Sequence, residues 1–173
     1  MLGLAALVLA AATANPSTAL TTASPWWEKF TFTMSNDGAQ QSCQFESSNP
    51  AVATSSCEED EAASPGEEQS SVVAGPYTKI TIERRFTPAS QPDPVILETG
   101  DTLLGSQVLS LAIDRAGAVS NCAIVGKSGE VNPPYGCDEA RTERFEASAD
   151  RAPAQVRHGF MTVLVYGHEE YPA

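Results

Sequence analysis

Basic side chains are scarce in this chain: 10 Lys and Arg stand against 22 Asp and Glu, for a formal charge of −12. So acidic a surface repels phosphate backbones and anionic lipid, which excludes nucleic acid and a general membrane surface as expected partners. Histidine is scarcer still. His158 and His168 are the only two, and neither helical nor hairpin spacing brings them together as metal ligands. Gly-x-Ser-x-Gly and the phosphate-cradling glycine loop are both absent, which removes two common signals of enzymes. No apolar run reaches the ~20 residues that cross a bilayer. We therefore expect no cofactor, no metal, no catalytic residue and a non-enzymatic role; the contrary reading is a metal-dependent envelope hydrolase using His158 or His168.

What the chain does have is a hydrophobic share of 42%, enough for the core of one ordinary domain or two small ones. Its first residues, "MLGLAALVLAAATANPSTA", hold an apolar run ending in Ala12-Thr13-Ala14, the small-x-small pattern of a signal-peptidase site. Residues 1–14 read as a signal peptide and 15–25 as a flexible leader, so the expected location is periplasmic or secreted. Lys29 is the first basic residue, so the charged start of such a peptide is missing. A truncated N-terminus is the alternative, with membrane contact only if the segment is an uncleaved anchor. Export would place the four cysteines where disulfides form, and four cysteines allow three connectivities.

Self-similarity narrows that choice. An offset of 79 carries Phe30, Phe32, Met34, Gly38 and Cys43 onto Leu109, Leu111, Ile113, Gly117 and Cys122 without a gap. Phe30, Phe32 and Met34 alternate with threonines, and Leu109, Leu111 and Ile113 alternate likewise, the period of a half-buried strand. "SNDGA" and "DRAGA" supply residues that tolerate positive φ in hairpin turns. Cys43 stands two before Phe45 and Cys122 two before Ile124, so both point to the inner face of a returning strand. Pairing within each copy follows: Cys43 with Cys57 and Cys122 with Cys137, each closing a loop worth about 3 kcal/mol in the chain-entropy model.

After Cys137, "DEARTERFEASADRA" opens with acids and continues with Ala and Arg, the signal of a short helix anchored by Phe145. The first copy has an acidic run there instead, Glu58 to Glu68, with Pro65-Gly66 inside it, which reads as a solvated loop or a broken helix. Lys79–Phe86 and Phe160–Tyr166 have the β-branched and aromatic content of a closing strand. Trp26-Trp27 reads as a cover for the core. The Pro-punctuated connector between the copies includes Val95–Leu97, a possible extra strand.

Asp114, Gly117, Val119, Asn121-Cys122, Ser128-Gly129, Cys137 and Phe145, followed by "MTVLVY", resemble the C-terminal domain of the TonB family in its cysteine-bearing form. The likeness covers about 103–167 and, more faintly, 26–88. It implies an α+β fold of two tandem small units, 26–94 and 95–173, each a short antiparallel sheet with one or two short helices. It also implies a protein-binding role, with the closing strand accepting an extended peptide from an envelope protein or outer-membrane receptor as an added strand. The acceptor would be Thr162, Val163, Leu164, Val165, Tyr166 and Gly167. An anchored energy transducer for outer-membrane transport is the alternative within that family. The chain departs from the family pattern at "NPPYG" before the helix and at Phe145-Glu146-Ala147-Ser148 after it. Non-reducing peptide mapping of the mature protein is expected to recover Cys43–Cys57 and Cys122–Cys137; a link between the two halves would overturn the pairing.

Overall fold

The computed structural model describes residues 19–36, 40–48, 55–56, 77–88, 91–92, 94–148 and 156–169. The strands in chain order are β1 (Trp26–Met34), β2 (Gln40–Ser47), the two-residue β3 (Ser55–Ser56), β4 (Lys79–Thr87), β5 (Asp101–Ile113), β6 (Val119–Gly129) and β7 (Arg157–His168). A single helix among the described residues, α1 (Cys137–Thr142), stands between β6 and β7. All the strands join one antiparallel sheet in the order β3-β2-β1-β4-β7-β5-β6.

The sequence offset is visible in the pairing register. Phe32 lies opposite Cys43 and Leu111 opposite Cys122; Met34 lies opposite Gln40 and Ile113 opposite Val119. On the other flank Phe32 faces Ile80 and Leu111 faces Gly159. Yet this common register does not produce two units. β4 and β7, the closing strands of the two halves, pair with each other along nine residues, from Lys79 opposite His168 to Thr87 opposite Phe160. Two edges with unpaired N–H and C=O groups satisfy each other by that contact.

The expected α+β fold in two tandem units is thus overturned. The chain forms one nearly all-β sheet that runs across the division at residues 94 and 95. Val95–Leu97 lies outside regular secondary structure rather than forming an extra strand. The acidic run 58–68, Gly38 of the first turn and Cys57 lie outside the described residues.

One face of the sheet carries the core. Trp26, Phe86, Met161, Leu109, Leu111 and Ile113 are buried there beneath Ala140 of α1 and Phe145. Trp26 stacks on Phe86 at 5.7 Å between ring centroids, and Phe86 meets Phe145 at 5.4 Å. Trp26 therefore covers the core as expected. Gly159 leaves room for this cluster, because a Cβ there would stand 2.5 Å from Phe86 Cζ. Burial is uneven along the sheet: Phe30, paired with Phe45 at 4.8 Å, keeps 36% of its surface exposed. α1 and Phe145 lie over the second half and reach only the start of β1.

The helix forms where the sequence places it. Asp138 and Glu139 sit in its first turn, and Glu139 Oε2 accepts the Gly136 N–H at 2.7 Å. Six residues are too few to hold a helix in water, so tertiary ties must fix it. Ala140 is wholly buried, and a disulfide joins Cys137 to Cys122 of β6, as the sequence led us to expect. Cys43 is disulfide-bonded too.

The β5–β6 turn closes on Asp114, whose Oδ1 accepts from the N–H groups of Ala116 and Ala118, both at 2.9 Å. Gly117 follows with φ +89°, and a Cβ there would lie 2.0 Å from the Phe145 carbonyl oxygen. Gly117→Ala is expected to cost about 1–3 kcal/mol through the left-handed backbone and the displaced Phe145 main chain. Urea melts at matched slope would measure it, and an unchanged midpoint would refute the account.

Candidate functional site

The structure puts the expected acceptor strand in the middle of the sheet. Each of Thr162, Val163, Leu164, Val165, Tyr166 and Gly167 has β4 on one side and β5 on the other; Val163 faces both Arg84 and Gln107, and Tyr166 both Thr81 and Leu103. Its main-chain groups are used by those ladders, so this strand cannot take an added peptide. The expectation is corrected for a physical reason: the edge that each half would leave open is closed by the other half.

The open edge is β6. Among the described residues no strand pairs with its outer side, and Ile124 and Val125 are 49% and 57% exposed. The edge is not uniform. Pairing passes from Leu109–Ile124 to Val108–Gly126, skipping Val125, and from Ala112–Asn121 to Ile113–Val119, skipping Ser120. Both skipped residues bulge from β6 and sharpen its twist. Asn121–Ile124 is the regular run between them. Just before it the edge is closed, because Ala118 bridges to Arg144 and the Phe145 N–H donates to the Gly117 carbonyl at 2.8 Å. Cys122, inside the regular run, is tied to α1, so this stretch has a rigid backing. At the opposite end of the sheet, β2 is met by β3 at Gln44 and Phe45.

The central strands carry two charged clusters, one on each face, which the sequence reading missed. On the core face Arg84 Nε donates to Glu28 Oε2 at 2.6 Å, and its Nη1 pairs with Glu143, just past α1. The guanidinium lies between the rings of Trp26 and Tyr135, at 5.5 and 5.1 Å from their centroids. The Tyr135 hydroxyl donates to Glu143 at 3.1 Å, and Gln107 Nε2 donates to the Tyr135 carbonyl. Burial alone would lower the pKa of Arg84, but the carboxylates of Glu28 and Glu143 outweigh it and hold the guanidinium above its ordinary range. Burial, reinforced by the Glu143 charge, pushes the Tyr135 phenol up.

On the other face the nearly inaccessible Glu83 accepts from the Tyr166 hydroxyl at 2.9 Å, pairs with Arg85, and lies 3.8 Å from Lys29 Nζ. Burial first, and the Glu83 charge second, raise the pKa of the Tyr166 phenol. His168 Nδ1 lies 2.8 Å from Asp101 Oδ1 at the end of the same face. These partners satisfy one another. They brace the sheet.

The two histidines stand near opposite ends of β7. At ~3.3 Å per residue they are about 33 Å apart and cannot share a metal ion. Among the described residues no group of three His, Cys, Asp or Glu could hold a metal, and no helix is long and apolar enough to cross a membrane. Compared with protein-family models, curated proteins and solved structures, the chain shows no match.

The raised phenols have a pH consequence. A tyrosine held above its ordinary pKa of 10.0 binds its proton more tightly folded than unfolded. Its contribution is therefore full below pH 10.0 and is lost as pH rises through the folded value. Denaturant midpoints should fall with alkalinity more steeply in the native chain than in Tyr135→Phe or Tyr166→Phe. Identical slopes in all three would show that neither phenol is perturbed.

Proposed function

We propose that this chain is a non-enzymatic binding module of the periplasm or cell exterior, taking an extended segment of an envelope protein as an added strand on β6. The observation that carries the reading is an exposed edge strand with no partner on its outer side among the described residues, and two β-branched side chains there, Ile124 and Val125, about half exposed. The resemblance to the TonB C-terminal domain supports strand addition as the mode of binding, although the strand that it implied is β7 and not β6. Outer-membrane receptor segments fall in the proposed partner class.

Main-chain hydrogen bonds would supply affinity, and alternate side chains would supply selectivity. The bulges at Ser120 and Val125 break the edge into short regular runs, Asn121–Ile124 and Gly126–Gly129, so binding is short-range, weak and rapidly reversible. The charge of −12 favours a neutral or basic segment over an acidic one.

A short peptide of alternating Val and Thr with a lysine at each end provides a defined probe. Its binding is expected to slow amide hydrogen exchange across Asn121–Ile124. Ile124→Lys, at a half-exposed position, should leave the melting temperature unchanged and weaken binding at least about tenfold, or about 1.4 kcal/mol. Unchanged binding by that variant would reject β6 as the acceptor.

A further inference from the structure

We propose that the chain carries its own donor for this edge: Pro94–Leu97 of one copy adds to β6 of another, head to tail. The inference rests on β6 accepting strands. Among the described residues, six large hydrophobic side chains are exposed, and four of them form two adjacent pairs: Val95 with Ile96, 41% and 75% exposed, and Ile124 with Val125. The second pair marks the acceptor. The first lies in a segment outside secondary structure, where no described backbone hydrogen bond engages Val95, Ile96 or Leu97. A free backbone bearing β-branched side chains is what a strand donor requires.

The two stretches also match in length, and one charged residue near each is of opposite sign. Pro94–Leu97 is limited by proline at one end and by a turn at the other, where the Asp101 N–H donates to the Glu98 carbonyl at 3.1 Å. Asn121–Ile124 is limited by its two bulges. Each is a run of four residues. β6 contains Lys127 and no acid, while Glu98 directly follows the donor. A parallel alignment with Pro94 beside Asn121 and Leu97 beside Ile124 carries Glu98 toward Lys127.

Distance excludes the same molecule as its own partner. Asn121–Ile124 lies opposite Ala112–Leu109, at least eight residues along β5 from Asp101, which is about 26 Å. Leu97 is four residues from Asp101 and reaches at most ~14 Å. The donor must therefore meet the edge of a second copy. Because donor and acceptor are different surfaces, a head-to-tail contact leaves one donor and one edge of each pair free, unless a two-fold axis repeats the contact reciprocally.

That asymmetry makes the test specific. Ile96→Asp removes the donor and Ile124→Asp the acceptor, both at exposed positions, with thermal melts confirming the fold. In sedimentation velocity the native chain is expected to gain average mass with concentration, and each variant alone to stay monomeric. An equimolar mixture should form a one-to-one pair and nothing larger, since only one intact donor–acceptor contact remains. A native chain that stays monomeric, or a mixture that does not associate when the native chain does, overturns the proposal. Titration with the Val-Thr probe peptide separates this from the reading beneath it. If the probe binds β6 while copies do not associate, self-donation fails and strand acceptance stands; if neither occurs, both fail.

Discussion

The pairing of β4 with β7 is the contact on which this sheet depends. Without it the chain would present a four-stranded piece and a three-stranded one, each with a fresh edge of unpaired amides and a core too small to be secure. With it, the strands that end the two halves become the middle of one sheet, and the apolar residues of β7 are covered on both flanks. The same contact decides where the molecule can bind anything by its backbone. It withdraws β7 from the solvent and leaves β6 as the boundary.

Arg84 sits on that junction, opposite Val163, and turns a ladder into a platform for the helix. Its guanidinium draws together β1 through Glu28 and the end of α1 through Glu143, while Tyr135 closes over it. A charge taken so far from water would be costly alone; two carboxylates and two aromatic faces compensate it. The disulfide holds the other end of α1. A helix of six residues is thus positioned by a covalent tie at its start and an ion pair just past its end, and the sheet beneath keeps its apolar surface dry.

Much of the local structure was legible in the residues. Alternation in Phe30–Met34 and Leu109–Ile113, turn chemistry at Asp114–Gly117, and acids after Cys137 each act over a few positions, and each element lies where those signals put it. The shared offset also survives in the hairpin registers. What could not be read was the union of the halves. A closing strand has the same composition whether its outer side meets water or another strand, so Lys79–Thr87 and Arg157–His168 contain no mark of their mutual pairing. The Arg84 cluster was hidden for a related reason. Glu28 and Glu143 are 56 and 59 residues from Arg84, with no periodicity linking them.

The gap left by Gly159 gives the sheet a handed identity. The hairpins share their spacing where Phe32 and Leu111 stand, yet the residue at the corresponding place in β4 is Ile80, whereas a side chain at Gly159 would meet the ring of Phe86. Equal spacing with unequal volumes works like a keyed joint, with a ring from one half seated over a glycine of the other.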